Sequence, residues 1–327
     1  MKQQKSRMVY FNGKLVPEAE ARISIYDSAL MFGDMVFEMT RSFNKKQFKL
    51  REHLERLYVG LKILRIPLTM TEAEMEKACY ETIEANKTLF AVDDEHRLMI
   101  DVSRGVLGIY QNIEGIHKGP NVIIADFPLR WTVTGMGELF DIGINAVITS
   151  QRAIPAHLLD PKIKNRSRVH YNMANIEASQ VAGKNNWALL LDPDGLIAEG
   201  TGDNFFIVRK GEILTPEGRN ILRGISRAYI FELADKLGIS CRESNLETYD
   251  VHTADEAFMS GTPFCILPVT SLNGAAIGDG KVGPVFTKLL SVWSKNMEVD
   301  IKGQIQKWNS VDGLQVENSP TPYQFKK

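Results

Sequence analysis

The spacing of apolar residues changes period several times along this chain, and each change marks an element. "MVYFNGKLVP" (8–17) alternates around Asn12-Gly13, a hairpin signal. "MVFEMTRSFNKKQFKL" (35–50) repeats the alternation with a turn near Asn44-Lys45. In "REHLERLYVGLKIL" the period becomes helical, and Leu54, Leu57, Leu61 and Leu64 fall on one face. "TMTEAEMEKACYETIEANKT" predicts a second helix, with Thr71 and Glu74 in capping-box spacing. "RLMIDVSRG" returns to a strand. Residues 1–128 therefore predict a small α+β domain. Pro128 and two glycines in "DFPLRWTVTGMGE" predict an interdomain linker over 129–137.

A larger domain is predicted over 138–303. It holds a strand at "INAVITS", a helix near 171–183, and turns at Asp194-Gly195 and Lys210-Gly211. "GISRAYIFELADKLGI" predicts a helix stopped by Gly238. "EAFMSGTPFCILPVTSLNG" predicts strand and turn. Residues 304–327, weakly periodic and holding several Pro, Ser and Gln, are expected to be partly disordered. No internal repeat is visible.

Composition sharpens one stretch. The 327 residues are 44% hydrophobic and 24% charged, with 39 basic against 40 acidic side chains and a net charge of −1. That balance argues against a general nucleic-acid or membrane partner. A dense cation run in such a chain stands out. "LDPKIKNRSRVHYNMANIEA" (159–178) places Lys162, Lys164, Arg166, Arg168 and His170 at alternate positions. Cys79, Cys241 and Cys265 are far apart and lack metal-site spacing, as in a reducing cytoplasm. No HExxH pair and no apolar run of about 20 residues occur, which argues against a zinc site and a membrane span.

Four features carry possible chemistry, each with a plainer alternative. Lys162 or Lys164 is a covalent amine if neighbouring cations lower its pKa, or else a solvated strand edge. Glu199, in "LIAEGTGDNFFIV", needs a cationic partner if buried, or else faces outward. Gly224, Ile225 and Ser226 open a helix and offer N–H groups to an anion, unless Ser226 is only a cap. Arg56 can fork a phosphate or merely pair with Glu52. The glycines of "EGTGDN" lack the strand–helix context of a dinucleotide site.

Taken in order, "SALMFGDMVFEMTRS", "LREHLERL", "DPKIKNRSRVHYNMANIEA", "GLIAEGTGDNFFIV", "LTPEGRNILRGISRA" and "FMSGTPFCILPVTSLNG" resemble the fold-type IV enzymes that use pyridoxal 5'-phosphate. These include branched-chain aminotransferases, D-amino acid transaminases and aminodeoxychorismate lyases. The resemblance runs from about Tyr10 to Gly303. It implies an α/β (α+β) fold: a small N-terminal α/β domain, then a larger domain with a mixed, barrel-like sheet and helices. It implies a homodimer, with the loop at "GIYQNIEG" reaching the neighbouring subunit.

The same resemblance implies residue roles. Lys164, the second basic position of "P-x-I-K", becomes the Schiff-base lysine and proton shuttle. Glu199 keeps the pyridine nitrogen protonated. Arg56, Ile225, Ser226 and Thr262 take the phosphate, and Leu222 packs on the ring. Phe37 and Arg41 face the substrate, with Thr262 beside it. The implied reaction moves an amino group between a branched-chain-like amino acid and a 2-oxo acid. A D-amino acid transaminase, a lyase releasing pyruvate, and a non-catalytic relative are the alternatives.

Two positions depart from the branched-chain pattern. Arg168 stands where many members have a tyrosine that supports the cofactor ring oxygen. Pro263 follows Thr262 and removes one of two backbone N–H groups that hold the substrate carboxylate. Arg41, Arg97 and Arg104 are the candidate replacements, none ranked above the others.

Overall fold

In the computed structural model, which describes residues 6–309, the chain divides into two compact units. The first runs up to Leu129 and includes Ile163–Arg168; the second holds Arg130–Lys162 and the chain from Val169 onward. Residues 163–168, expected within the larger domain, thus pack with the first unit.

The first unit has strands β1 (Met8–Phe11), β2 (Lys14–Pro17), β3 (Met35–Met39), β4 (Ser42–Phe43), β5 (Lys46–Gln47), β6 (His96–Ser103) and β7 (Asn121–Pro128). Helices α1 (Ser28–Phe32), α2 (Leu50–Leu64) and α3 (Glu72–Asn86) complete it. β1 and β2 form the hairpin expected at Asn12-Gly13, both residues having positive φ. The alternation at 35–50 is not one hairpin. β3 pairs with β6, while only β4 and β5 close around Asn44-Lys45. The main sheet runs β2-β1-β7-β6-β3.

Helix α2 supplies the core of this unit. Leu54, Leu57 and Leu61 are buried with Leu98, Ile100 and Val102 of β6. α3 starts with the capping box expected at Thr71 and Glu74. The free edge of β3 is taken by the inserted segment. Phe37 N–H donates to the Lys164 carbonyl and Arg166 N–H to the Met35 carbonyl, both at 2.9 Å.

The second unit has α4 (Arg130–Val133), α5 (Leu139–Ile142), β8 (Ile144–Arg152), α6 (Val169–Gln180), β9 (Asn186–Leu191) and β10 (Ile197–Gly200). There follow β11 (Asn204–Arg209), β12 (Glu212–Pro216), α7 (Ile225–Leu237), β13 (Cys241–Ser244), α8 (Thr248–His252), β14 (Glu256–Gly261), β15 (Cys265–Leu272) and β16 (Ala275–Ala276). Helices α9 (Pro284–Met297) and α10 (Ile301–Asn309) end the described chain.

Neighbouring strands in the order β10-β9-β8-β15-β14-β11 are hydrogen-bonded, and β11 returns to β10. These six close on themselves, and the single pair Glu199–Asn204 makes the closure. β8 runs parallel to β9 and β15, and the other barrel pairs are antiparallel, so the sheet is mixed. β12 and β13 extend it, and α6 packs its Ala174 and Ala178 against Val147 and Ala188.

Three stretches differ from expectation. The linker region contains the short helix α4. α9 was not apparent from periodicity; it begins at Gly283-Pro284 and buries Phe286, Leu289 and Trp293. α10 carries the helical chain through Asn309, because Ile301, Ile305 and Trp308 are buried on one face. The rest of the predicted tail lies outside the described residues. Among the described residues no helix is long and apolar enough to cross a membrane.

Leu54 is 1% exposed at the centre of the first core. Leu54→Ala should cost about 2–5 kcal/mol in urea unfolding. The exposed neighbour Val59→Ala should stay within about 0.5 kcal/mol of the parent.

Candidate active site

The cation run divides its lysines between two environments. Lys162 Nζ pairs with Asp160 at 2.7 Å and donates to the Arg219 carbonyl at 3.0 Å. Lys164 lies on the segment along β3, with Nζ 4.7 Å from the Phe37 ring centroid. The same ring carries the Arg166 guanidinium at 3.8 Å and that of Arg168 at 5.4 Å. Arg166 is anchored by Asp101 on β6 at 2.7 Å, directly across from Phe37 in register. Burial raises the Asp101 carboxyl, and Arg166 pulls it back toward the charged form.

Arg56 does not pair with Glu52. Its Nε and Nη2 donate to the two oxygens of Glu38 at 2.6 and 2.8 Å. His53 Nδ1 lies 2.7 Å from the same carboxylate. Glu38 is fully buried and His53 is 1% exposed. Burial alone would raise the Glu38 carboxyl, but Arg56 and then His53 outweigh it and hold it far below the usual range. Burial pushes the His53 imidazole down, and Glu38 only partly offsets this. Glu38 and His53 were missed in the sequence. The signal was there: a carboxylate within an apolar strand, and His53 and Arg56 three apart on one helix face.

The three arginines proposed for the carboxylate separate clearly. Arg104 is committed to structure: it pairs with Asp34 and donates to the carbonyls of Leu64 and Arg65. Arg41 is 1% exposed, stacks on Phe43 at 3.9 Å, and donates to the Ser42 carbonyl. Arg97 is 7% exposed, and its Nε and Nη1 meet no acceptor among the described residues. Among the described residues only Met39 sulfur, at 3.6 Å from Nη2, is hydrogen-bonded to it. Burial, with Arg41 nearby, pushes the Arg97 pKa down to about 10. A buried guanidinium with two unmet donors is built for an anion.

In the second unit Glu199 is 4% exposed. Tyr171 Oη donates to it at 2.9 Å, Asn204 Nδ2 at 3.1 Å and Leu222 N–H at 3.0 Å. A buried carboxylate is the residue type that a protonated ring nitrogen requires. Leu222 is placed here through its backbone, since its carbonyl also accepts from Asn204. Tyr171 and Asn204 were not singled out in the sequence, because neither residue type is distinctive alone.

Gly224 caps α7 without any side-chain cap bond, which leaves Ile225 and Ser226 at a helix start suited to phosphate. Ser226 is therefore not the cap. A Cβ on Gly224 would lie 2.2 Å from Asn204 Oδ1, so a larger residue would displace the Asn204 amide. Thr262 and Pro263 lie in the turn between β14 and β15, where Gly261 pairs with Cys265. Each unit by itself holds residue types that pyridoxal phosphate requires: a lysine and a forked arginine in the first, a buried carboxylate and a helix start without a side-chain cap in the second. Among the described residues no group of His, Cys, Asp and Glu could hold a metal ion.

Comparisons with known proteins agree with this chemistry. Residues 35–272 match the family Amino-transferase class IV. The branched-chain-amino-acid aminotransferase of Escherichia coli K12 is 33% identical over 88% of this chain and 92% of its own length. A Methanocaldococcus jannaschii protein provisionally given the same name is 36% identical over 86% and 93%. The solved Escherichia coli enzyme superposes with a TM-score of 0.80 at 30% identity, covering 89% of this chain and 94% of that one. The branched-chain amino acid aminotransferase from Thermobaculum terrenum, solved in its PLP form, gives 0.77 at 26% identity, covering 94% and 98%.

The His53 shift predicts a pH effect on stability. A depressed folded-state pKa means that the unfolded chain binds the proton more readily. The contribution is therefore intact above the ordinary histidine pKa of about 6.5 and is lost as pH falls below it. His53→Asn keeps a donor near Nδ1 but cannot titrate. Urea midpoints between pH 7 and 5.5 should fall less steeply for this variant than for the parent, and equal slopes would contradict the assignment.

Proposed function

The chain belongs to the class IV aminotransferases, and from that premise we propose a pyridoxal 5'-phosphate enzyme that moves amino groups between branched-chain-like amino acids and 2-oxo acids. Bound to this protein, the cofactor supplies an electron sink for the charge left when the substrate α-carbon loses a proton. Lys164 would hold the cofactor through its side-chain amine, and the same amine would serve as base and then acid for the substrate α-proton. Lys162, tied to Asp160 and the Arg219 carbonyl, is a poor competitor for this role. Glu199 would pair with the protonated ring nitrogen, and Arg168 would donate to the ring oxygen. Leu222 would pack on the ring. Arg56, Ile225, Ser226 and Thr262 would hold the phosphate. Phe37 and Arg41 flank the substrate.

Arg97 carries the substrate carboxylate. The observation behind this is its pair of buried donors without acceptors. Pro263 withholds one backbone donor from the turn, and Arg97 compensates for it. A working homodimer in the cytoplasm fits the family resemblance and the three free thiols.

The test is a panel of L-amino acids, D-amino acids and primary amines mixed with the cofactor-loaded protein. Absorbance should report conversion to the amino form with L-branched-chain donors. Conversion only by D-amino acids would shift the reading to a D-amino acid transaminase. Pyruvate release from aminodeoxychorismate without an oxo-acid acceptor would shift it to a lyase. A charged hydrogen bond contributes about 1.5–3 kcal/mol, so Arg97→Met should lower kcat/KM roughly 10–100-fold, mostly through KM. An unchanged KM would remove Arg97 from the substrate site.

A further inference from the structure

Arg56 is bound to a carboxylate on β3. The Glu38 carboxylate takes its Nε–Nη2 edge with two bonds, at 2.6 and 2.8 Å. Glu38 is itself braced by His53 at 2.7 Å. His53 and Arg56 sit three residues apart on α2, so one helix face presents both to a single strand carboxylate. That strand is β3, and the residue before Glu38 is Phe37, whose N–H is bonded to the Lys164 carbonyl. Glu38 and His53 are almost wholly buried, whereas Arg56 keeps 13% of its side chain exposed.

A guanidinium is planar and has two forked edges. Fixing the Nε–Nη2 edge fixes the plane, and with it the direction of the Nη1–Nη2 edge. We propose that Glu38 and His53 are positioning residues for the cofactor phosphate: they lock the Arg56 plane so that its second edge meets the phosphate oxygens. This rests on the reading of Arg56 as a phosphate ligand. A carboxylate that served only to pin α2 to β3 would hold the fold equally well but would not affect discrimination between a phosphorylated and an unphosphorylated ligand. His53 adds a second constraint, since one carboxylate gripped from two points on the same helix cannot rotate.

The test is that discrimination. The full-length chain, freed of cofactor, is titrated with pyridoxal 5'-phosphate and separately with pyridoxal, and the ratio of the two Kd values is the readout. Orienting partners of a metal ligand cost roughly 10–100-fold in affinity when removed. A loss of at least about tenfold in the phosphate preference is expected for Glu38→Gln and for His53→Phe on the same footing. His53→Asn, which keeps a donor near the Nδ1 position, should retain most of the preference. Circular dichroism identifies the folded variants, and the His53 pair decides if Glu38→Gln does not fold. If Arg56→Ala loses the preference while the folded Glu38 and His53 variants keep it, the positioning role is overturned and Arg56 remains the phosphate ligand. If Arg56→Ala keeps it too, the phosphate reading itself fails.

Discussion

A carboxylate taken out of water must be met by donors or by positive charge, and two such groups organise this molecule. Glu38 is wholly buried on β3 and Glu199 nearly so on β10. Leaving either unmatched would cost several kcal/mol. In the first unit the answer is local and ionic, with Arg56 and His53 from one face of α2. In the second unit Glu199 sits at the pair that closes the barrel, and Tyr171, Asn204 and the Leu222 N–H turn toward it. In the proposed function, the same carboxylate would face the protonated ring nitrogen of an electron-sink cofactor.

The cation run has an equally physical explanation. Its members do not share one solvated face. Lys162 is tied down by Asp160 in the second unit. Lys164, Arg166 and Arg168 return to the first unit, where they gather around Phe37. Asp101 balances one of those charges, and two main-chain bonds to β3 fix the segment. Alternation of basic residues therefore marks an extended segment, joined to β3 by a single bridge between Val36 and Asn165, that carries a lysine to a defined place. Arg166 keeps the lysine's backbone in register by stacking on Phe37 and bridging to Asp101.

Local patterns were legible because their causes are local. The Asn12-Gly13 turn, the leucine face of α2, the Thr71–Glu74 box and the Gly238 stop depend on residues within a turn or two of each other. The fold and reaction class followed from ordered motifs. What stayed hidden depends on distant partners. Nothing near Arg166 announces Asp101, 65 positions away. Nothing near Arg97 distinguishes it from Arg41 and Arg104 until Asp34 is seen to occupy Arg104. The move of 163–168 to the first unit has no local signal, because a strand pattern does not name its sheet. Glu38 was missed for a different reason: a charged residue inside an apolar strand is a local signal, and it was passed over.

The central claim is that Lys164, and not its neighbour Lys162, carries the cofactor. Borohydride reduction of the cofactor-loaded protein, followed by peptide mapping, tests it most directly. The predicted result is a single phosphopyridoxyl label on Lys164. A label on Lys162, or no label at all, would contradict it.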